Sequence, residues 1–424
     1  RHSLALTRQF EPLTEAVETT IAAAGGEVTQ LNLRRGTLLT WARELQKCMA
    51  KADVVVMHVH SMDVIPFLAC AGMEAPPPVI LVNHSDHLFW LGVKWVDLVL
   101  STRNSGNALS RARRGIAPAQ TAVIPLCIEP APPGLPREEA KRRLGLPPDS
   151  VVLVTMARAL KFKPLGSEEF PDPLVPLLRA HPEACLVAVG PGGRVDWSAA
   201  EREAPGQIVL VAETTETATY LDAADIYLDS FPFVSITSLL EAGQRGLPVV
   251  TRFPFGAGCE VMGADSPGIE PVLLRAETAE EYRRLVGGLI ADPARRRAVG
   301  EATRERIEAS SMGEGWRMGL AGVYRSAIEA RGRREPHAWE EPGPGDLDWF
   351  LPFAYGNEAL GGTRAGRMAG TMEFVLKAAP LRWRLATLAR MARGGDLGQL
   401  PSPWRFLIPE WLGRQARRYI PRRG

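Results

Sequence analysis

The sequence predicts an α/β fold made of two doubly wound parallel sheets, or Rossmann-like domains, followed by a basic helical extension. Short apolar runs alternate with helical patterns along two stretches of similar length, as expected for parallel sheets. A Pro-rich stretch at residues 129–136 lies between them and indicates a linker. The composition changes again after the second stretch. We therefore expect a first domain at 1–130, a second at 131–330 and an extension at 331–424.

The first stretch contains two continuous apolar runs rich in Val and Ile, at residues 54–59 and 79–82. Such runs are typical of parallel strands that are buried on both faces. The other elements follow from alternating strand and helix patterns. We expect strands at 3–7, 28–33, 54–59, 79–82, 96–100 and 121–124, and helices at 11–24, 38–50, 65–71 and 104–113.

The second stretch repeats this alternation, although no sequence repeat is visible. Apolar runs again mark its strands, and Gly residues end several of its helices. We expect strands at 151–156, 186–189, 208–212, 226–228, 247–251 and 272–274, and helices at 138–144, 173–180, 217–223, 278–290, 294–309 and 315–330.

The overall composition limits the function classes. The chain has 424 residues, with 46% hydrophobic and 23% charged side chains, as in soluble globular proteins. A net charge of +2 argues against nucleic acid as a partner. Five scattered cysteines without paired spacing argue against a disulfide framework and for a reducing compartment. With neither a signal peptide nor a membrane-spanning run in view, we expect a cytoplasmic location.

The stretch at 225–251 is the strongest candidate for a binding site. It has the pattern strand, loop, helix, strand, and hydroxyl side chains lie where the helix should begin. A helix start after a parallel strand offers free N–H groups and a positive dipole end to a phosphate. Ser235, Thr237 and Ser238 can cap this helix or contact the phosphate, and Glu241 suits a sugar hydroxyl. An ordinary αβ unit with a good cap is the alternative.

Two further groups of polar residues follow predicted strands. Arg158 and Lys163 follow the strand at 151–156, where two cations could neutralise a diphosphate or simply belong to a solvated loop. In the first half, histidines and aspartates lie at the ends of the strands at 54–59 and 79–82 or just after them: His58, His60, Asp63, His84, Asp86 and His87. Imidazoles can ligate zinc, but no Cys/His/Glu cluster completes a site. Acid–base chemistry or hydrogen bonds to a sugar fit better.

At this point the residues resemble those of GT-B-fold glycosyltransferases, in particular the family-4-like group (GT4). The likeness covers roughly residues 50–330, and its most specific part is Leu-Leu-Glu-Ala-Gly-Gln-Arg-Gly-Leu-Pro-Val-Val at 239–250. The runs Val-Asp-Leu-Val-Leu-Ser at 96–101 and Val-Ile-Pro-Leu-Cys-Ile at 123–128 also resemble family elements. Arg158 and Lys163 match the family's diphosphate-binding pair.

The resemblance implies two domains that face a cleft and a nucleotide-diphosphate sugar as donor, with UDP preferred to GDP. It implies that Glu241 binds the ribose, that the base rests near Glu213 and Thr214, and that His84 lies near the sugar. GT-B enzymes need no metal or other cofactor, because cations and a helix dipole stabilise the leaving diphosphate.

One departure from the GT4 pattern concerns the chemistry. The family has a second Glu eight residues before Glu241, where this chain has Phe233. Its loop is instead similar to that of family 41, which contains inverting enzymes. We expect a hexosyl- or N-acetylhexosaminyltransferase with His84 and Asp86 as catalytic residues and His58, His60 and His87 on the acceptor side. A sugar-nucleotide epimerase and a GT-B-like scaffold that has lost catalysis are the alternatives.

The last part of the chain suggests a further partner. Residues 373–424 contain 11 Arg or Lys and 3 Asp or Glu, with tryptophans among the arginines. This composition suggests peripheral contact with an anionic membrane, at the inner face of the cytoplasmic membrane, where a lipid-linked acceptor would lie. The alternative is that the segment packs back on the first domain. The acceptor itself is open: a glycan, a lipid-linked sugar, a protein or a small molecule.

Overall fold

A computed structural model describes residues 1–8, 13–60, 62–88, 90–164, 168–192, 196–255, 263, 265–332, 372, 375–400 and 402–419. Parallel strands form three sheets, surrounded by helices. The strands are β1 (Leu4–Leu6), β2 (Val28–Gln30), β3 (Val55–Met57), β4 (Val79–Asn83), β5 (Leu98–Ser101), β6 (Thr121–Val123), β7 (Val151–Met156), β8 (Ala184–Val189), β9 (Ile208–Val211), β10 (Ile226–Leu228), β11 (Val249–Arg252) and β12 (Leu274–Ala276).

Helices connect these strands and form the end of the chain. They are α1 (Glu15–Ala23), α2 (Leu38–Met49), α3 (Ile65–Ala71), α4 (Asn104–Arg114), α5 (Arg137–Arg143), α6 (Leu174–Ala180), α7 (Trp197–Glu203), α8 (Ala218–Ala223), α9 (Thr237–Gly243), α10 (Ala279–Ala291), α11 (Pro293–Ser311), α12 (Gly313–Glu329), α13 (Leu381–Arg393) and α14 (Glu410–Tyr419). Among the described residues, no helix has the length and apolarity needed to cross a bilayer.

The first domain contains a four-stranded sheet in the order β3-β4-β5-β6, and β1 and β2 pair separately. β4 lies inside the sheet and is almost fully buried, as its apolar run predicts. The prediction that residues 54–59 form a buried strand is wrong in part. β3 is shorter and lies at the sheet edge, where Val56 is 45% exposed. A strand can be apolar throughout and still have a neighbour on one side only.

The second domain has one six-stranded sheet in the order β12-β11-β10-β7-β8-β9, with all strands parallel. The sequence runs outward from β7 through β8 and β9, and then starts again from β10 on the other side of β7. This reversal confirms the predicted doubly wound sheet. Ligands of such sheets bind beyond the carboxyl ends of the strands at the reversal, which here are β7 and β10.

The chain returns to the first domain after the second sheet. α12 packs Val323 and Ala327 against Ile80 and Leu98 of the first sheet, although it falls in the range predicted for the second domain. The domain boundaries themselves stay a prediction. The sequence pattern also predicts a helix at residues 371–379, of which residues 371, 373 and 374 lie outside the described residues.

The described part of the C-terminal extension also packs on the first domain. Leu376 and Phe406 belong to the same apolar core as Trp41 and Ile65. The first residue of α14, Glu410, accepts hydrogen bonds from Arg8 Nε at 3.0 Å and from Asn32 Nδ2 at 3.3 Å, and all three side chains are buried. The alternative that this segment packs back on the first domain is therefore confirmed for these residues.

Candidate active site

The loops that follow β7 and β10 are joined at the point where the second sheet reverses. The N–H of Phe233, in the loop after β10, donates to the carbonyl of Lys161 at 3.3 Å. The Nζ of Lys161 donates in return to the carbonyl of Val234, also at 3.3 Å. The two loops therefore hold each other in place, and they bring the lysine to the carboxyl edge of β10.

Asp229, the first residue after β10, fixes the shape of the second loop. Its Oδ1 accepts from the N–H of Ser230 at 2.8 Å and from the N–H and Oγ of Ser235 at 3.0 and 2.8 Å. Thr251 Oγ1 of β11 donates to its Oδ2 at 3.2 Å. The pKa of this carboxyl is raised, because the effect of burial is larger than the opposing effect of nearby Lys161. The hydrogen bonds of Asp229 thus fix the conformation of the loop, and both of its carboxylate oxygens are used within the protein.

These contacts change the role predicted for one hydroxyl. Ser235 donates its Oγ to Asp229 and is buried, so it does not cap α9. α9 begins after Ile236 and has no side-chain cap hydrogen bond, which makes the predicted cap by Ser235, Thr237 or Ser238 wrong. Thr237 is exposed at the start of the helix, and Ser238 is half-buried. Their predicted phosphate contacts stay predictions.

Lys161 is the functional candidate that sequence reasoning missed. It lies in a 3₁₀ helix (Ala159–Phe162), and its Nζ sits 5.3 Å from the centre of the Phe233 ring. Burial lowers the pKa of Lys161 to about 8, together with the charges of Arg103 and Arg158, and Asp229 acts in the opposite direction. The predicted Lys163 is buried two residues further on. The only signal in the sequence was a second lysine in the same loop.

The remaining predicted donor residues lie along the same edge of the sheet. Arg158 is exposed at the start of the 3₁₀ helix, close enough to influence the charge of Lys161. Glu241 is half-buried on α9. Its pKa is raised, because the effect of burial is larger than the opposing effect of Arg245. Ser238 and Glu241 both act on the pKa of Tyr227 of β10, which places them near that strand.

Glu213 and Thr214 follow β9, at the far side of this edge. β9 is two strands away from β7, so the separation is about 10 Å, a distance that a nucleotide can span. β8 lies between β7 and β9, and the loop after β8 approaches the loop after β7 closely. A Cβ at Gly190, whose φ is +79°, would lie 2.5 Å from the carbonyl oxygen of Ala157. Only glycine permits this approach.

Arg252 is a second residue that the sequence patterns did not indicate. It ends β11 and is buried, with its guanidinium 4.5 Å from the centre of the Phe231 ring. Its Nη2 pairs with Glu168 at 2.6 Å, while Nε and Nη1 have no hydrogen-bond partner among the described groups. The cation–π contact holds Phe231 at the base of the loop that carries Phe233.

The first domain brings the predicted histidines together at its own sheet edge. The rings of His58 and His84, which follow the adjacent strands β3 and β4, lie 4.4 Å apart. Burial lowers the pKa of His58, and the charge of His84 lowers it further. His60 Nδ1 accepts from the N–H of Met62 at 3.2 Å. Burial lowers the pKa of His60 as well. His84 itself is exposed.

Asp86 is held differently from the histidines. It is buried and forms a two-point ion pair with Arg103, with one contact of 2.8 Å from Arg103 Nε. His87 Nδ1 lies 3.4 Å from its Oδ1. Although burial opposes ionisation, Arg103 and His87 lower the pKa of Asp86 to about 2. Such a carboxylate stays ionised and is a poor proton acceptor at neutral pH.

The two domains meet at this point. The His87 ring makes an edge-on contact with Phe233 of the second domain, with 5.3 Å between ring centres. Arg103 Nη1 donates to the carbonyl of Gly263 at 2.6 Å. Asp265 accepts from the N–H groups of Asn104 and Ser105 at the start of α4. The residues predicted for the acceptor side and those predicted for the diphosphate side therefore lie near this contact between the two domains.

Comparisons with known proteins identify the architecture. No family model and no curated protein sequence matches the chain. A glycosyltransferase from Rickettsia africae has a TM-score of 0.54 at 11% identity, over 74% of this chain and 89% of that one. HepE from Anabaena, in complex with UDP, has a TM-score of 0.55 at 13% identity, over 76% of this chain and 91% of that one. The chain has the GT-B fold.

A third solved structure is similar to the same degree. The O-GlcNAc transferase from Thermobaculum terrenum has a TM-score of 0.50 at 17% identity, over 78% of this chain and 62% of that one. The expected GT-B architecture, with two parallel-sheet domains facing a cleft, is therefore confirmed. The narrower likeness to family 4 or family 41 stays a prediction. Within the described residues, no group of three His, Cys, Asp or Glu side chains is arranged to hold a metal ion.

Proposed function

We propose that this GT-B protein is a glycosyltransferase that moves a hexose or N-acetylhexosamine from a nucleotide-diphosphate donor to an acceptor. The observation that carries the proposal is the half-buried Lys161 at the reversal of the second sheet, where its Nζ donates to the carbonyl of Val234 and interacts with the charges of Asp229 and of the first-domain Arg103. A leaving diphosphate needs positive charge at that place as its bond to the sugar breaks.

On the donor side, Arg158 and Lys161 neutralise the diphosphate, and Lys161 takes the role that the sequence assigned to Lys163. Thr237 and Ser238 at the start of α9 contribute hydrogen bonds. Glu241 binds the ribose hydroxyls, and the base lies near Glu213 and Thr214. The UDP bound to HepE, whose fold is the same, supports UDP in preference to GDP. Because side-chain cations supply the charge, the reaction uses no metal or other cofactor.

On the acceptor side, His84 accepts the proton of the acceptor hydroxyl while that oxygen bonds to the anomeric carbon. The bond from the anomeric carbon to the diphosphate breaks, and the nucleoside diphosphate leaves. The ring of His58 lies only 4.4 Å from that of His84, and burial together with the charge of His84 lowers the pKa of His58, which favours its neutral form. Asp86 acts as a positioning residue for His87 and Arg103. With Phe233 in place of a carboxylate, we favour inversion at the anomeric carbon.

Nucleotide binding tests the donor assignment. Thermal shift with UDP, GDP and their sugars, followed by calorimetry, should show stabilisation by UDP, because a ligand that binds only the folded state raises its stability. With the donor identified, His84→Ala should lower kcat by about 100-fold or more. Full turnover in this variant would refute the role of His84, while UDP binding should be unchanged in it.

The same measurements separate the two alternatives. Conversion of the donor sugar to an epimer without any acceptor would identify a sugar-nucleotide epimerase. Absence of binding by UDP, GDP and their sugars would favour a scaffold that has lost catalysis. Release of UDP that depends on an acceptor would support transfer over both.

A further inference from the structure

The C-terminal segment has an outer surface of exposed apolar side chains. Of the fifteen large apolar residues that are exposed among the described residues, eight lie between residues 375 and 412. We use the name outer face for six of them, which lie on α13, on the 3₁₀ helix at Pro403–Leu407 and on α14: Leu381, Trp383, Leu385, Trp404, Leu407 and Leu412. Trp404 is 64% exposed and Trp383 is 43% exposed. Soluble proteins rarely expose two tryptophans and several leucines within one short segment without a partner.

This exposure is not due to poor packing of the segment. Its inner side is well buried, since Phe406 is fully buried and Leu388 and Trp411 pack against the first-domain core. The buried Arg384 donates to the carbonyl of Leu407 at 2.6 Å, which joins α13 to the 3₁₀ helix (Pro403–Leu407). The segment therefore has one side folded into the domain and another that presents apolar groups outward.

The charge around the outer face indicates its partner. Arg382, Arg390 and Arg393 are exposed on α13. Residues 373–424 contain 11 Arg or Lys against 3 Asp or Glu, whereas the rest of the chain carries a small net negative charge. Tryptophans and leucines flanked by arginines suit the headgroup region of a bilayer, where the rings meet the acyl boundary and the cations meet anionic lipids.

We propose that the outer face docks on an anionic phospholipid membrane. The segment is fixed to the first domain through Glu410, which pairs with Arg8, while Thr7 next to Arg8 donates to Asp63 beside the acceptor-side histidines. Docking of the outer face therefore holds the first domain at the membrane surface. The proposal does not depend on the identity of the donor or on catalysis.

Co-sedimentation of the full chain with vesicles tests the proposal. Vesicles of phosphatidylcholine with phosphatidylglycerol should bind the chain, vesicles of phosphatidylcholine alone should bind it weakly, and salt should weaken the binding. The double variant Trp383→Ala/Trp404→Ala should lower the vesicle partition constant by about tenfold or more. The matched control is Met318→Ala/Ile328→Ala on α12, which removes two side chains that are 64% and 51% exposed elsewhere. This control should bind as the wild type does.

Three outcomes would overturn the proposal. The first is a wild-type chain that does not sediment with phosphatidylglycerol vesicles. The second is equal binding by the tryptophan variant and the wild type. The third is a wild-type dimer in solution that the tryptophan variant abolishes, because the outer face would then join two copies. Calorimetry with UDP, GDP and their sugars on the same samples keeps the donor question separate, since vesicle binding without binding of any of these ligands would count only against the proposed function.

Discussion

The ammonium group of Lys161 is the central charge of the proposed donor site. A hydrogen bond between a charged group and a phosphate contributes about 1.5–3 kcal/mol, so Lys161→Ala should weaken UDP binding by about tenfold or more. Calorimetry gives the dissociation constant directly. Lys163→Ala is the matched control, because it removes a buried lysine two residues away, and it should leave UDP affinity within about twofold. A larger loss of UDP affinity from Lys163→Ala would mean that Lys163, and not Lys161, neutralises the diphosphate.

The lowered pKa of Lys161 predicts a pH dependence of UDP binding. In the free protein, burial holds this pKa at about 8, so the side chain loses its proton as the pH rises through that value. A bound diphosphate favours the charged form and raises the pKa again. UDP affinity should therefore be greatest below pH 8 and fall above it, with proton uptake on binding near pH 8. Calorimetry in buffers of different ionisation enthalpy measures that uptake, which Lys161→Ala should abolish.

The sequence predicted where the candidate residues lie better than it predicted their contacts. Arg158 and Glu241 lie at the sheet edge where their positions after β7 and β10 place them. Ser235 and Lys161 differ, because the path of each loop decides where a side chain points. Asp229 captures the Ser235 hydroxyl, and a 3₁₀ turn directs Lys161 toward the carbonyl of Val234. A short loop has no regular period from which either contact could be predicted.

At the scale of elements, strands that are buried on both faces were the easiest to predict. β4 and β7 consist of nearly continuous β-branched or long apolar residues, which is typical of a buried parallel strand inside a sheet. The position of a helix is harder to infer. α12 has an ordinary amphipathic pattern, which shows that it packs on something but not that its partner is the first sheet. Long-range pairing of this kind is absent from local sequence patterns.

The start of α14 gives a prediction about stability. Glu410 is buried among Arg8, Asn32 and Arg414, so Glu410→Ala would leave the Arg8 guanidinium buried without its carboxylate. Breaking a buried ion pair on one side costs about 3–5 kcal/mol, and urea unfolding should show a loss of that size.

The exposed pair of Arg317 and Glu314, with nitrogen and oxygen 3.8 Å apart, provides the control for this prediction. Glu314→Ala should cost less than about 0.5 kcal/mol, because water screens exposed charges. Equal losses from Glu410→Ala and Glu314→Ala would show that the ion pair does not anchor α14 to the first domain.

For the whole molecule, the contacts of Asp265 predict how the cleft is held closed. This second-domain carboxylate accepts from the N–H of Asn104 at 2.5 Å and of Ser105 at 3.3 Å, and so caps a helix of the first domain. Loss of such a cap costs about 1 kcal/mol, which corresponds to about a fivefold shift between closed and open forms. Asp265→Ala should therefore raise the radius of gyration measured by small-angle X-ray scattering and weaken UDP-sugar binding.

Asp292 is the matched control, because its carboxylate also accepts from two backbone N–H groups, those of Ala294 and Arg295, but within the second domain. Asp292→Ala should cost a similar free energy of unfolding and leave the radius of gyration unchanged. Both variants remove the same type of interaction. A difference between their radii of gyration is therefore due to the position of the Asp265 cap between the two domains. An unchanged scattering profile for Asp265→Ala would mean that the contacts of Arg103 and His87 hold the cleft closed without it.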